Sequence, residues 1–195
     1  MKYIIGIGNP GREYEKTRHN TGFQVLDVMF GRREKIFKRW TLDKSLESVV
    51  AEDGDGLFLI KPQTYVNVSG TVVASLMKRS KLDLKDLLVV SDDANLEFGS
   101  VRIRAEGSDG GHHGLLSIAE ALGSRQYPRL RVGIRNESMP RQLAEFVLSG
   151  FSPEEKRQLP EILERAATAC ERWAGSDYKA AVEFLSKPKE GIERK

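Results

Sequence analysis

The sequence predicts a single α/β domain, built as a three-layer α/β/α sandwich around a twisted mixed β-sheet. Short apolar segments typical of buried strands alternate along the 195 residues with segments whose apolar residues recur at helical spacing. Two strand segments flank the sequence DGDG at 53–56, which is typical of a hairpin turn, so part of the sheet is antiparallel. No repeat or Pro/Gly-rich linker divides residues 1–195, and this length suits one domain.

The first half of the chain supplies three strands and two helices. Residues 2–7 are a short apolar run that ends at a Gly/Pro turn, as expected of a buried strand. Residues 20–30 carry apolar side chains at helical spacing, and 69–79 are helical as well. The hairpin strands are predicted at 48–51 and 57–61.

In the second half, an apolar strand at 86–91 and alternating strands at 100–104 and 129–134 accompany a helix at 113–122. From 141 to 186 the chain is predicted to be helical. The helices there cover 141–148, 153–174 and 178–185. The long central helix has Ser152 as its N-cap and Pro153 at its first position.

Composition and charge are those of an ordinary soluble protein. The net charge is +3, from 31 lysines and arginines against 28 aspartates and glutamates. Cys170 is the only cysteine, so no intrachain disulfide can form, and its alanine-rich surroundings indicate a buried side chain. The apolar run at 2–7 is too short for a signal peptide, and no stretch approaches the roughly 20 apolar residues of a membrane span. We expect a cytoplasmic protein without a membrane partner, and a monomer.

Basic residues cluster at two places in the sequence. The clusters are Arg32, Arg33, Lys35, Lys38 and Arg39, and Arg125, Arg129, Arg131 and Arg135. Each alone is equally well explained as a solvated surface. Together they are compatible with a polyanionic partner.

The loop after the first strand contains Gly6, Gly8 and Gly11 at the spacing of a dinucleotide-binding turn. Such a site needs a helix to begin within the motif, so that the helix N-terminus meets the pyrophosphate. Pro10 and the polar stretch at 12–18 delay the helix instead. A nucleotide-dependent oxidoreductase is therefore a disfavoured alternative.

Three polar residues stand beside predicted strands or at helix entrances. His19 can accept a proton from water near neutral pH, because an unperturbed imidazole has a pKa of roughly 6.5; the alternative is a capping or surface histidine. Asn67 can orient a substrate amide or a water, or it can cap the helix near Ser69. Asp92 can hold the tautomer of an imidazole, or it can belong to a turn. The glycine-rich segment at 107–114 could offer backbone N–H groups to a substrate carbonyl.

Metal and serine-hydrolase chemistry are not supported by the sequence. The histidines are His19, His112 and His113, and no two of them are spaced four residues apart on a helix. The side chains of His112 and His113 should point apart because they are adjacent. No Gly-x-Ser-x-Gly elbow occurs. We expect neither a metal nor a cofactor.

Four motifs, in this order, resemble those of the bacterial-type peptidyl-tRNA hydrolase family: GIGNPGREYEKTRHNTGF, KPQTYVNVSG, DLLVVSDD and GSDGGHHGLLSI. The resemblance extends over essentially the whole chain. It implies an enzyme that hydrolyses the ester bond of ribosome-free peptidyl-tRNA and releases peptide and reusable tRNA, with a water activated by histidine and no metal.

The resemblance also implies the catalytic residues. His19 would be the general base that deprotonates the attacking water, and Asp92 would hydrogen-bond that imidazole. Asn9 would contact the peptide amide and so distinguish peptidyl-tRNA from free aminoacyl-tRNA. Asn67 would contact the substrate and help to place the water or the developing oxyanion.

For the tRNA itself, the resemblance implies contacts to the 3′ end and the acceptor stem. Tyr14 and Tyr65 would line the groove for the 3′ end, where an aromatic ring can stack on a base. Arg104 and Arg131 would meet the acceptor-stem phosphates. Contacts of this kind do not read base sequence, which suits an enzyme that must accept many tRNAs.

The chain departs from the family pattern at three places. Val66 stands where the family usually has methionine, and His113 stands where a substrate-contacting asparagine is usual. The segment SDDANLEFG at 91–99 replaces HDELDLPPG but keeps Asp92. A catalytically inactive RNA-binding relative of the same fold is therefore the alternative, although His19, Asp92 and the two asparagines favour an active enzyme.

Overall fold

The computed structural model describes residues 1–137, 139–140 and 142–188. Within them, seven strands form one sheet and helices pack on both of its faces. The strands are β1 (Lys2–Gly6), β2 (Thr41–Asp43), β3 (Ser48–Glu52), β4 (Leu57–Pro62), β5 (Leu87–Glu97), β6 (Val101–Arg104) and β7 (Arg129–Arg135). The helices are α1 (Thr21–Arg32), α2 (Glu34–Phe37), α3 (Ser69–Ser80), α4 (His113–Leu122), α5 (Leu143–Leu148), α6 (Pro153–Gly175) and α7 (Tyr178–Ser186).

The sheet has the strand order β2-β3-β4-β1-β5-β7-β6. The four central strands β4, β1, β5 and β7 are parallel. The β3–β4 hairpin is antiparallel, and so are the β2–β3 and β6–β7 pairs at the two edges. The predicted α/β fold with a mixed sheet is confirmed.

Alternation along β1 separates the two layers of the core. Ile4 packs into a cluster with Leu26 of α1 and Trp173 of α6. Its neighbour Ile5 packs on the other face, in a cluster with residues of α3 and α4 such as Ile118. Because successive side chains of a strand point to opposite faces, one apolar run stabilises both layers of the sandwich.

Strand β5 is longer than the apolar run at 86–91 predicts. It continues to Glu97, because Ser91, Asp92 and Asp93 pair with β7. Asp92 is therefore a strand residue, and the turn considered as an alternative for it is wrong. The sequence patterns also missed β2 and α2. The helix predicted at 141–148 begins at Leu143 in the structure. Arg141 and residues 189–195 lie outside the described residues.

Three further expectations can be compared with the structure. Cys170 is fully buried, and burial raises the pKa of its thiol well above the usual value. Arg129 is also fully buried, so counting it in an exposed basic cluster was wrong. Arg32 donates to Glu164 and Glu171 of α6, so that basic residue joins two helices. Among the residues described, no helix is long and apolar enough to cross a membrane.

The glycines of the first loop serve packing between β1 and α1. A Cβ on Gly22 would lie 2.4 Å from the carbonyl oxygen of Val90 and 2.5 Å from the nitrogen of Ile7. A Cβ on Gly6 would lie 2.6 Å from the carbonyl oxygen of Gly22, and one on Gly8 would meet the ring of Phe23 at 2.9 Å. The start of α1 can therefore approach the ends of β1 and β5 more closely than any side chain would allow.

Two glycines of α1 provide a matched test of this contact. Gly22→Ala should lower the free energy of unfolding by about 1–3 kcal/mol or more, because its methyl group would collide with backbone atoms that cannot move aside. Gly31→Ala lies in open space in the same helix and should raise that free energy by roughly 0.5–1 kcal/mol. Urea unfolding of both variants measures this. Equal changes in the free energy of unfolding of the two variants would contradict a close backbone contact at Gly22.

Candidate active site

A cavity of about 650 Å³ lies near the carboxyl ends of β1 and β4. It is lined by residues of the loops that follow these two strands and by Asp92 of β5. Seven of the nine predicted site residues line it: Asn9, Tyr14, His19, Tyr65, Asn67, Asp92 and His113. Arg104 and Arg131 do not line it. Segments far apart in the sequence thus meet at one edge of the sheet, as the ligand sites of open α/β sheets do.

His19 lies in a short 3₁₀ turn, Arg18–Asn20, directly before α1. Its Nδ1 is 3.0 Å from Oδ1 of Asp92, whose side chain is only 2% exposed. A buried carboxylate accepts hydrogen bonds, so we assign the proton of the neutral imidazole to Nδ1. The Nε2 atom of His19 then carries a lone pair and is the basic atom at the cavity.

His112 shares the same carboxylate oxygen. It is the N-cap of α4, where its Nδ1 accepts from the backbone N–H groups of Gly114 at 3.1 Å and Leu115 at 3.4 Å. The proton of its neutral ring must therefore be on Nε2, which lies 3.1 Å from Oδ1 of Asp92. Sequence reasoning mentioned His112 only as a histidine and missed this role, although its position before a helix in a glycine-rich segment is a capping signal.

The three groups also meet the geometric definition of a metal cluster. The ligand atoms of His19, Asp92 and His112 lie within 4.8 Å of one another, a constellation that histidine spacing did not reveal. A metal on Nε2 of a neutral imidazole requires a proton on Nδ1. In His112 that Nδ1 already accepts two backbone N–H groups, so the hydrogen bonding fits two donors on a carboxylate better than it fits a metal ion.

The carboxylate and the imidazole shift each other's ionisation. Burial raises the pKa of Asp92, but the electrostatic attraction and the hydrogen bonds between its carboxylate and the rings of His112 and His19 outweigh burial and hold that pKa well below its ordinary value. Burial lowers the pKa of His19, but Asp92, through its charge and its hydrogen bond, raises it more, to a net value above 6.5. The result is an anionic carboxylate beneath an imidazole whose pKa is raised by that carboxylate.

Asn9 is fixed by a network that determines which atom faces the cavity. Its backbone N–H donates to Oδ1 of Asn20 and its carbonyl accepts from Nδ2 of Asn20, both at 2.9 Å. Its side-chain Oδ1 accepts from the backbone N–H of Val66 at 3.0 Å. The Nδ2 group of Asn9 is thus left as a donor for a ligand in the cavity.

Asn67, Tyr65 and His113 lie at the rim of the cavity and are exposed. Helix α3 has Val68 as its N-cap residue and no side-chain cap, so the capping role considered for Asn67 is wrong. Tyr65 is 60% exposed, which leaves its ring face available to a partner. Tyr14, half-buried, lines the cavity as well.

One wall of the cavity is apolar and was not anticipated from the sequence. It comes from the short helix α5, through Leu143, Ala144, Val147 and Leu148. Val66 adds to the apolar lining at the position where the sequence pattern expects methionine. The cavity thus combines polar groups around His19 with a hydrophobic surface.

The arginines of the β6–β7 ribbon lie outside the cavity. Arg102 pairs with Arg131 and Arg104 with Arg129 in the antiparallel register, so the four lie on one face of the ribbon. Arg104 and Arg102 are exposed, and sequence reasoning missed Arg102. Arg131 is only 20% exposed and lies 2.5 Å from Asp93, so its charge is partly neutralised within the protein.

Comparison with known proteins identifies relatives over nearly the whole chain. The family described as peptidyl-tRNA hydrolase matches residues 3–192. A peptidyl-tRNA hydrolase of Syntrophomonas wolfei is 43% identical over 182 residues, which is 93% of this chain and 98% of the relative. One of Cytophaga hutchinsonii is 40% identical over 193 residues, covering 97% and 100% of the two chains.

Solved structures agree with the fold. A crystal structure of peptidyl-tRNA hydrolase from Acinetobacter baumannii superposes with a TM-score of 0.85 and covers 95% of this chain and 94% of its own. Its sequence is 24% identical, so this likeness concerns the architecture.

The coupling of His19 to Asp92 can be tested by NMR titration of the imidazole. In the unaltered protein His19 should titrate above 6.5. Asp92→Asn removes the charge that raises the pKa but leaves the burial that lowers it, so the titration should move below 6.5. Asp93→Asn is the matched control, because Asp93 pairs with Arg131, and it should leave His19 unchanged. An unchanged titration in Asp92→Asn would contradict the assigned hydrogen bond.

Proposed function

This chain belongs to the peptidyl-tRNA hydrolase family and has its hydrolase activity, and we propose that it cleaves the ester between peptide and tRNA with a water molecule activated by His19, without a metal ion. The observation that carries the proposal is the pairing of His19 Nδ1 with the buried carboxylate of Asp92. It makes Nε2 the basic atom at the wall of the cavity. The alternative of an inactive RNA-binding relative gains no support from this geometry.

The proposed reaction begins with proton transfer from the water to Nε2 of His19, as the water attacks the ester carbonyl. Asp92 keeps the imidazole in the reactive tautomer and stabilises the imidazolium that forms. When the tetrahedral intermediate collapses, the ester C–O bond breaks and the imidazolium returns its proton to the ribose oxygen. An ester has a better leaving group than an amide, so one base and a few hydrogen-bond donors are sufficient.

His112 contributes to the same step by holding the carboxylate in place. Its Nε2–H group compensates for the loss of water around the buried Asp92, and its ring is fixed by the start of α4. A carboxylate with two donors on one oxygen has little freedom to turn away from His19. We assign His112 as the residue that orients Asp92.

The donors around the base suit the peptide side of the substrate. Nδ2 of Asn9 is free to donate to a carbonyl of the peptide, which a free aminoacyl-tRNA lacks. Asn67 is exposed at the rim and has an amide with two donors, which suits the developing oxyanion or the attacking water. His113 can donate one N–H to the same region, in place of the asparagine usual in the family.

The tRNA would bind through its 3′ end and acceptor stem. Tyr14 and Tyr65 flank the cavity, and their rings can stack on the terminal bases. The exposed Arg104 and Arg102 would meet acceptor-stem phosphates, with Arg131 as a weaker contributor because of its pairing with Asp93. We further propose that the protein acts in the cytoplasm as a monomer, with no membrane partner.

Loss of the base should abolish turnover while leaving tRNA binding intact. His19→Ala is expected to lower kcat by about 10²–10⁴-fold, and Asp92→Asn by less. In the unaltered enzyme kcat/KM should fall as the pH drops below the raised pKa of His19, above 6.5, because protonation removes the lone pair. Release of peptide from a model peptidyl-tRNA measures both. Near-normal turnover of His19→Ala would contradict the mechanism.

Activity should also survive exhaustive chelation, since the hydrogen bonds of His112 leave no lone pair for a metal at Nε2. The test is turnover after treatment with EDTA. A large loss that zinc restores would contradict the metal-free reaction.

Binding of tRNA should weaken with salt through the arginine face of β6. Each phosphate neutralised contributes a slope of about −0.7 to −0.9 in log K against log salt. Arg104→Ala should remove about one such contribution and leave kcat at saturation unchanged, and Arg131→Ala should remove less. Lys44→Ala is the control, because Lys44 is exposed and directly follows β2, the edge strand opposite β6. Unchanged slopes in both arginine variants would move the tRNA site elsewhere.

A further inference from the structure

Arg18, the residue before His19, is a buried cation with no role in the reaction described above. It is 4% exposed, and its guanidinium is bound at both ends: Nη1 donates to Oε1 of Glu155 at 2.9 Å and Nη2 donates to Oε2 at 2.7 Å. Burying such a pair costs free energy unless its geometry and its other hydrogen bonds are favourable. A buried pair beside the catalytic base therefore needs an explanation.

The carboxylate of Glu155 is fully used. It accepts from the backbone N–H of Ser152 at 2.7 Å, as part of the capping box that begins α6, and from Nδ2 of Asn136 at 2.7 Å. Burial would raise the pKa of Glu155, but the hydrogen bonds from Arg18, Ser152 and Asn136 lower it to about 2. The pair with Arg18 thus stays charged throughout the pH range of an activity assay.

The guanidinium also contacts the element that carries the apolar wall. Its central carbon lies 4.4 Å from the ring centroid of Phe146 in α5 and 4.8 Å from that of Phe151, which follows α5. The backbone N–H of Arg18 donates to the carbonyl of Ser149 at 3.0 Å, and Thr17 forms a β-bridge with Gly150. The segment formed by α5 and the residues that follow it therefore contacts both the side chain and the backbone of the turn that bears His19.

Helix α5 has only six residues, too short to hold its own position. Phe146 points into a small buried cluster with Ile134 and Phe151, whereas Val147 and Leu148 line the cavity. The same short helix thus touches Arg18 on one side and presents its wall to the substrate on the other.

We infer that Arg18 is a positioning residue that sets the distance between His19 and the apolar wall of α5, and that the wall, held at this distance, strengthens the binding of substrates whose peptide ends in an apolar residue. This inference rests on the proposed function, because it takes the wall to receive the side chain of the residue esterified to tRNA. A bidentate ion pair fixes a direction as well as a contact. An apolar side chain in place of Arg18 would fill the space without fixing the register of α5.

The test compares the N-acetyl-leucyl and N-acetyl-glycyl esters of one and the same tRNA, so that the two substrates differ only in the side chain that meets the wall. The variant is Arg18→Met with Glu155→Gln, which removes both charges, leaves the volume similar and keeps an amide oxygen for Ser152. We expect KM for the leucyl substrate to rise by on the order of tenfold more than KM for the glycyl substrate, the size of a lost apolar contact. Arg18→Lys, which keeps the charge but not the fork, should recover only part of the difference.

A second variant keeps the experiment decisive if the double variant does not fold. Val147→Ala leaves the ion pair intact and shortens the wall, so it should lower the same leucyl-to-glycyl preference. Equal losses on both substrates, or no loss in a folded double variant, would show that Arg18 serves stability alone and would overturn the inference. Failure of the unaltered protein to cleave either substrate would instead overturn the proposed function.

Discussion

The backbone contact between Gly22 and the ends of β1 and β5 determines where the rest of the site lies. With no side chain at this position, α1 starts against the main chain of Ile7 and Val90. The 3₁₀ turn that precedes α1 is consequently held over β5, and His19 comes within hydrogen-bond distance of Asp92. A helix displaced outward by the width of a methyl group would separate the base from its carboxylate, although neither residue had changed.

Asp92 is both a buried residue of the central strand β5 and the hydrogen-bond partner of the two histidines of the site. A carboxylate buried on a strand costs several kcal/mol unless donors surround it, and here two imidazoles converge on one of its oxygens. The two histidines are not equivalent. His112 has its second nitrogen occupied by the start of α4, whereas the second nitrogen of His19 faces the cavity. The same side-chain type therefore provides both the support and the reactive group, and the backbone decides which is which.

The sequence predicted the layers and most of the site, for reasons that are local. Apolar runs and helical spacing predicted the central strands and the long helices, and the family resemblance carried by motifs beside those strands implied His19, Asp92, Asn9 and Asn67 as site residues. What it missed depends on contacts between distant segments. The extension of β5 to Glu97 comes from pairing with β7, Arg129 is buried with its guanidinium donating to the carbonyl groups of Ser108 and Arg125, and α5 packs on Arg18 through Phe146. Residue type alone suggested an exposed Arg129 and a turn at Asp92. Contacts with distant segments instead bury Arg129 and place Asp92 in a strand.

The arginines of β6 have a consequence for the protein before any tRNA binds. β6 is the last strand of the sheet, and an edge strand is a position at which a strand of another molecule could add. Arg102 and Arg104 place two long charged side chains on this four-residue strand, and a second copy of the edge would bring like charges together. Charges suited to a nucleic acid thus also protect the chain against edge-to-edge aggregation. A variant that neutralises them should therefore aggregate more readily, in addition to losing the phosphate contacts proposed for this strand.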